Sequence, residues 1–448
     1  MDIETGAPTK LEFKPSTGAD RMRNARPRSI GRHLSFLIAD LNVGGVQKTT
    51  LSLAGAMAAR GNTVDLLVLK PGGTLSDQVP EGVEVVELRR SIGMASRLYA
   101  LLADPAALPL LVRPVLLPKR ASQTLPYLPA LVRYLRGARP DALLSATPHL
   151  NLEAIWARRL AGVQTRLLVS ERSAPSQKLP VSKNWRHRHL PPLIRRTYPM
   201  ADVIVSVSQA LGDDLSAVTG LPRDIVRTIY NPVVGADIER KARAKVEHPW
   251  LQPGQPPVIL GVGRLTDQKD FPTLLRAFAR VRAQRDARLV ILGGAKDEEK
   301  SAERQALLQR MAGDLGVAAD VDLPGFVKNP YAFLARASLF VLSSRFEGLP
   351  GAMIQALACG CPVVSTDCPT GPAEILDNGR YGPLVRMGDD RAMAEAIVQT
   401  LDAPPPAAML QRRAADFGED RAVEDYLDAL FGQPVPTLVR ESVRPVPA

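Results

Sequence analysis

The chain has 448 residues, 45% hydrophobic and 23% charged, with 57 Lys and Arg against 46 Asp and Glu for a formal net charge of +11. That length exceeds what one hydrophobic core supports, so two or more domains are expected, and the balance excludes a mostly disordered chain, a collagen-like one and a polytopic membrane protein. The basic excess favours anionic partners: nucleotide diphosphates, phosphorylated lipids, phospholipid headgroups or nucleic acid.

Residues 1–32 are polar and basic, read as a flexible arm, and lack the apolar core of a signal peptide. His33 to Ala39 reads as a buried strand, Val46 to Arg60 as a helix and Thr63 to Leu69 as the next strand. Leu98 to Pro118 is greasy but broken by Asp104, Arg113 and several prolines, too interrupted to cross a bilayer as a helix. Ala142 to Ser145, Arg166 to Val169 and Val203 to Val207 follow as short aliphatic runs. His248 to Pro257 carries four prolines and reads as an interdomain linker. A second series then begins: Val258 to Val262, Ala287 to Leu292, Val321 to Leu323, Leu339 to Leu342 and Pro362 to Ser365, with helices such as Pro272 to Arg285 and Met353 to Ala358 between them.

Short apolar runs alternating with helical stretches indicate βαβ units and parallel sheets. The expected architecture is α/β: two Rossmann-like doubly wound domains, 33–247 and 258–405, facing each other across a cleft. A helical segment, 406–432, is expected to return towards the first domain, followed by a Pro-rich tail, 433–448. Ligands of such sheets bind outside the carboxyl ends of the strands, so the residues after each strand carry the chemistry.

Gly44-Gly45 follows the first strand and opens a helix, where a bare backbone and free N–H groups suit an anion. It is not a P-loop, because Gln47 stands where the last glycine is required, and no G-x-G-x-x-G follows the strand. Arg264 and Lys269 follow the first strand of the second half, after Gly261 and Gly263. Two cations on one loop above a strand end can neutralise a diphosphate leaving group, worth about 10²–10³ in rate when aimed at developing charge. The sharpest signal is Ser343 to Leu376: strand, the acidic loop Glu347-Gly348-Leu349-Pro350, a helix, the Gly360 turn, a strand, then Thr370-Gly371-Pro372 before Glu374. Backbone N–H groups at that helix start, with Glu347 facing the cleft, suit sugar hydroxyls and phosphate together.

This block resembles the retaining family 4 glycosyltransferases of GT-B fold. The resemblance extends over about 34–430, with the Gly-Gly loop, G-R-L-x-x-x-K, E-G-L-P, A-x-G-x-P-V-V-S-T and the turn before Glu374 in the expected order. It implies that Gly44 and Gly45 lie near the donor diphosphate and that Arg264 and Lys269 bind it and stabilise the departing nucleoside diphosphate. Glu347 would contact the donor sugar, and Glu374 would support the donor site. Phe326 and Val327, in G-F-V-K-N, would border the nucleotide base. Two departures stand out: Gln355 replaces the family's second glutamate, which binds the ribose, and Ser170-Glu171-Arg172 stands where many members carry a histidine. Either Glu171 or His149 would then occupy the acceptor side, beside Arg172.

Metal binding is not expected. Asp320-Val321-Asp322 lies at a strand start, Cys359, Cys361 and Cys368 lack zinc spacing, and His187 and His189 have no acidic or Cys partner nearby. The three cysteines form no disulfide framework, which fits a reduced, cytoplasmic compartment. Between Arg172 and Arg196, Lys178, Lys183, Arg186, Arg188 and Arg195 form a basic stretch with no acid among them. It reads as a solvated loop or as a contact with anionic lipid at the inner membrane face, with Arg113, Lys119 and Arg120 beside greasy residues nearby. The partners expected are a nucleotide-sugar donor, most simply a UDP-sugar, and a glycan or lipid-linked acceptor, with no nucleic acid. Rival readings are a nucleotide-sugar epimerase or a phosphorylase of the same architecture, and a non-catalytic partner of another transferase.

Overall fold

The computed structural model describes residues 31–42, 44–91, 93–107, 110, 123–177, 190–294 and 298–432. The basic arm before Gly31, the tail after Gly432 and 178–189 in the middle of the basic stretch fall outside these residues, as do Arg113, Lys119 and Arg120.

Seven parallel strands form the first sheet: β1 (His33–Ile38), β2 (Thr63–Val68), β3 (Val83–Glu87), β4 (Ala142–Ala146), β5 (Arg166–Glu171), β6 (Val203–Ser206) and β7 (Val226–Thr228). Their spatial order is β3-β2-β1-β4-β5-β6-β7. The second sheet holds β8 (Val258–Val262), β9 (Arg288–Leu292), β10 (Val321–Gly325), β11 (Leu339–Leu342), β12 (Val363–Thr366) and β13 (Leu384–Val385), ordered β10-β9-β8-β11-β12-β13. Every pairing in both sheets is parallel. Helices cover both faces of a parallel sheet, so its central strands are apolar on both sides. That is why β4 (ALLSA) and β11 (LFVL) are buried at every position. In each sheet the order reverses once, between β1 and β4 and between β8 and β11. The loops after those four strands therefore flank the two crevices where such sheets take ligands.

The crossing between halves lies earlier than the proline-rich segment suggested. His248 is 7% exposed with Nε2 2.8 Å from Asp322 Oδ2, and Leu251 belongs to the core of the second half. The Ile238–Arg243 helix already packs on the Pro330–Leu334 helix of that half. Prolines there stop helices but do not prevent docking. The return crossing pairs with the outgoing one: Val233 and Val234 N–H both donate to Phe417 O at 3.1 Å, and Glu419 N–H donates to Val234 O at 2.9 Å. The Ala407–Ala414 helix stays with the second half, burying Leu410 and Ala414 in its core. Only the Glu419–Phe431 helix returns, burying Val423, Tyr426, Ala429 and Leu430 against β1, β2 and the Gly45–Ala59 helix. No helix among the described residues is long and apolar enough to cross a membrane.

Candidate active site

The loops after β8 and β11 are neighbours because their strands pair, and local hydrogen bonds zip them together. Arg345 N–H donates to Gln268 O at 2.8 Å, Gln268 Nε2 donates to Phe346 O at 2.9 Å, and Ser343 Oγ donates to Lys269 O at 2.7 Å. Arg345 Nε also reaches Asp270 Oδ2 at 3.1 Å. The result is an ion pair at the switch point: Lys269 Nζ donates to Glu347 Oε1 at 2.7 Å, with the two side chains only 14% and 9% exposed. One of three ammonium protons is thereby used, which leaves two to give to an anion. Gly263 makes room for the lysine stem, since a Cβ there would stand 2.9 Å from Lys269 Cε and 3.1 Å from Cδ. Arg264 is exposed, and its guanidinium has no partner among the described residues. The two cations thus differ in kind: one is enclosed and paired with the carboxylate, the other is exposed.

Gly348, Leu349 and Pro350 are buried and lead into the Gly351–Ala358 helix. Gly348 is required where it stands, because a Cβ would lie 2.2 Å from the carbonyl oxygen of Arg172 in the first half. Gly371, at φ +92, turns the chain beneath this loop; a Cβ there would meet Pro350 Cδ at 2.7 Å and Gly348 O at 2.9 Å. Thr370 Oγ1 donates to the backbone carbonyl of Glu347. Burial first, and then the neighbouring Glu347, pushes the Cys368 thiol up to about 12, so it stays protonated beside the carboxylate.

Phe326 is 60% exposed after the Gly325 turn, while Val327 packs partly against the core of the second half. Gln355 hydrogen-bonds the hydroxyl of Tyr331, whose pKa is pushed up to about 12 by burial first, then by Asp237 and Cys359. Glu374 is engaged by the first half. Its carboxylate accepts from the N–H of Gln209, at 2.9 Å to each oxygen, and from Tyr230 OH at 2.7 Å.

In the first half, Gly44 is extended before the Gly45–Ala59 helix, and Gly45 has open space where a Cβ would stand. Across the switch point, Thr147 is held at φ 92 before the Pro148–Ala161 helix, which carries His149 in its first turn. Glu171 ends β5 at 1% exposure, accepting from Tyr198 OH and from Asn151 Nδ2 at 3.3 Å. Burial first, then Glu171, holds the Tyr198 phenol well above the usual tyrosine range. Glu171 therefore belongs to the interior of the first half, whereas His149 lies at a helix start on the switch-point loop. Arg172 donates to Asn231 Oδ1 at 2.5 Å and to Tyr426 OH at 3.4 Å, so it ties the returning helix to β5.

Several other charges are accounted for structurally. Arg196 binds Asp104 through two 2.8 Å bonds, which removes it from any lipid-facing set. Asp320 pairs with Arg282 and Arg288, and Asp322 with His248. No group of three or more potential metal ligands occurs among the described residues. Sequence reasoning missed Tyr331, Ser208, Tyr230 and Arg413. Their partners lie in distant segments, and no local spacing marks them.

Comparison with known proteins bears on the family and the fold. Residues 43–234 match the model described as Glycosyltransferase Family 4, and residues 256–403 match that described as Glycosyl transferases group 1. The chain is 31% identical over 288 residues to the Campylobacter jejuni N-acetylgalactosamine-N,N'-diacetylbacillosaminyl-diphospho-undecaprenol 4-alpha-N-acetylgalactosaminyltransferase, covering 63% of this chain and 74% of that one. It is 29% identical over 238 residues to the lipopolysaccharide core biosynthesis glycosyltransferase LpsE of Rhizobium meliloti, covering 52% of this chain and 65% of that one. Among solved structures, Anabaena HepE in complex with UDP and glucose superposes with a TM-score of 0.68 at 18% identity, over 89% of this chain and 99% of that one.

Proposed function

The chain belongs to family 4 of the glycosyltransferases, and from that premise we propose that it transfers a sugar from a UDP-sugar held by the second half to a glycan or lipid-linked acceptor held by the first. The carrying observation is the Lys269–Glu347 pair at the β8/β11 switch point, with the exposed Arg264 guanidinium on the same loop. Transfer breaks the bond between the anomeric carbon and the β-phosphate oxygen. The electron pair leaves with the nucleoside diphosphate, and the acceptor oxygen takes the vacated position as its proton departs. Negative charge therefore grows where Lys269, Arg264 and the N–H groups opening the Gly351–Ala358 helix would face the diphosphate. Glu347 keeps Lys269 in place and offers its second oxygen to a sugar hydroxyl. Retention of anomeric configuration and independence from metal complete the reading, since two cations and a helix start already neutralise the leaving group.

The donor reading draws on the UDP and glucose bound to HepE, and the acceptor reading on the diphospho-undecaprenol substrate in the name of the Campylobacter relative. A role in polysaccharide or glycoconjugate assembly follows from both. The test is a panel of UDP- and GDP-sugars with the purified full chain and a diphospho-undecaprenol-linked glycan, with and without a chelator, followed by NMR of the product. Release of UDP coupled to an α-linked product, unchanged by chelation, is the expected result. Stabilisation and turnover only with GDP-sugars would reassign the donor, and a β-linked product would remove retention.

A further inference from the structure

The same short turn that supports Glu347 also grips the other half of the molecule. Glu374 sits in the Pro372–Ile375 turn of helix, and its carboxylate receives the first N–H groups of the Gln209–Thr219 helix: Gln209 at 2.9 Å to both oxygens and Ala210 at 3.4 Å. A carboxylate there satisfies N–H groups that have no partner inside their own helix and complements the helix dipole. Tyr230, on the outgoing crossing, donates to the same carboxylate at 2.7 Å, and its ring lies 5.0 Å from Phe417 on the return crossing. Arg413 holds the other side of the turn, donating to Glu374 O at 2.5 Å and Ile375 O at 2.9 Å. Next to it, Ser208 Oγ donates to Gly348 O at 3.1 Å, where Gly348 meets the Arg172 carbonyl.

We propose that Glu374 is a positioning residue, a clasp that holds the Glu347–Pro350 loop of the second half against the first half so that donor and acceptor meet. The clasp acts through covalent neighbours. Thr370, four residues before it, donates to the Glu347 carbonyl, and Gly371, three before it, lies so close to the Gly348–Pro350 segment that a Cβ there would collide with it. Releasing the carboxylate frees the halves to separate while Lys269, Arg264 and Glu347 remain together within the second half. Transfer, which needs both halves, then suffers more than donor binding, which needs one. The kinetic part of this inference rests on the proposed transferase reading; the clasp itself does not.

The test uses the full chain and two readouts. Small-angle X-ray scattering of Glu374→Ala should show a larger radius of gyration than the parent, whether or not any nucleotide binds. With UDP-sugar donor, kcat should fall at least tenfold while the Kd for UDP changes less than threefold. Glu374→Gln, which keeps one acceptor oxygen, should fall between. Tyr230→Phe, which leaves both backbone bonds intact, should show a smaller effect of the same sign and keeps the test readable if Glu374→Ala does not fold. Unchanged scattering and kcat would overturn the clasp. A Kd for UDP that weakens in proportion to kcat would also overturn it, placing Glu374 on the donor instead. A parent chain that binds no UDP refutes the transferase reading but leaves the scattering comparison decisive for the clasp.

Discussion

The two sheets share one strand order, but their switch points are finished in opposite ways. In the second half, Lys269 and Glu347 close a charge pair at the mouth of the crevice, and the exposed Arg264 extends it outward. In the first half, Asp40, on the loop after β1, accepts from Asn42 N–H at 3.0 Å and from Gln47 Nε2 at 3.2 Å, and Glu171 at the end of β5 is turned inward to Tyr198 and Asn151. A strained Thr147 and four buried polar atoms with no partner among the described residues surround it: Ser145 Oγ, Asn151 Oδ1, Ser170 Oγ and Thr197 Oγ1. One crevice is prepared for a ligand whose charge is fixed in advance. The other is bordered by two helix starts and by an Asp40 carboxylate already held by its own loop and helix.

The largest test of that contrast separates the two cations of the second half. Lys269→Ala removes the proposed diphosphate contact and leaves Glu347 enclosed without its counter-ion. It should cost about 10²–10³ in turnover and about 3 kcal/mol of stability, as expected for breaking a largely buried pair. Arg264→Ala should cost a similar factor in turnover and leave the melting temperature unchanged, because the guanidinium has no partner to lose among the described residues. Equal melting behaviour of the two variants would show that the ion pair does not persist in solution.

How much of this was legible in the sequence depends on distance along the chain. Central strands such as β4 and β11 are apolar on both faces and stood out as short aliphatic runs. The edge strand β3 (VEVVE) carries charge and partial exposure, β7 has three residues and β13 two, so none of them left such a run. The Lys269 and Glu347 loops were each visible as motifs, but their pairing spans 78 residues and emerges only from the adjacency of β8 and β11. The clasp at Glu374 spans 165 residues and joins two halves, so residue spacing had nothing to say about it. The proline-rich segment was misjudged because helix-breaking residues mark irregular backbone, which here is docked through His248 and Leu251.

A second test lies in the first half. Burial pushes the Glu153 carboxyl up to about 8 from its ordinary 4.5, opposed by a hydrogen bond from Thr124. The folded chain therefore keeps this proton up to about pH 8 while the unfolded chain releases it near 4.5. Between those values the folded state binds more protons than the unfolded one, so stability falls as pH rises, by up to about 1.4 kcal/mol per unit. Glu153→Gln should match the parent near pH 5 and melt at higher temperature at pH 8, with no comparable slope. Parallel melting curves for the two proteins across that range would mean that Glu153 is ionised and paired in the folded state.

Gly263→Ala probes the packing beneath the lysine. The new methyl would press on the Lys269 stem, and the stem's adjustment is expected to move Nζ relative to Glu347. A displacement of that kind should lower turnover between about 10- and 100-fold, with donor-binding affinity reduced alongside it. Wild-type kinetics in this variant would show that the stem relaxes without moving its charge.

The smallest effect concerns the unmatched hydroxyls of the first half. Thr197 is fully buried, and its Oγ1 has no partner among the described residues. A buried hydroxyl without a partner costs about 1–3 kcal/mol, so the near-isosteric Thr197→Val should leave the melting temperature unchanged or raise it. If the substitution instead destabilises the free protein, the hydroxyl is satisfied in solution and the first crevice is as fully matched as the second. If stability holds but acceptor KM rises with donor Kd constant, the buried polar cluster around Glu171 acts on the acceptor through the residues that cover it.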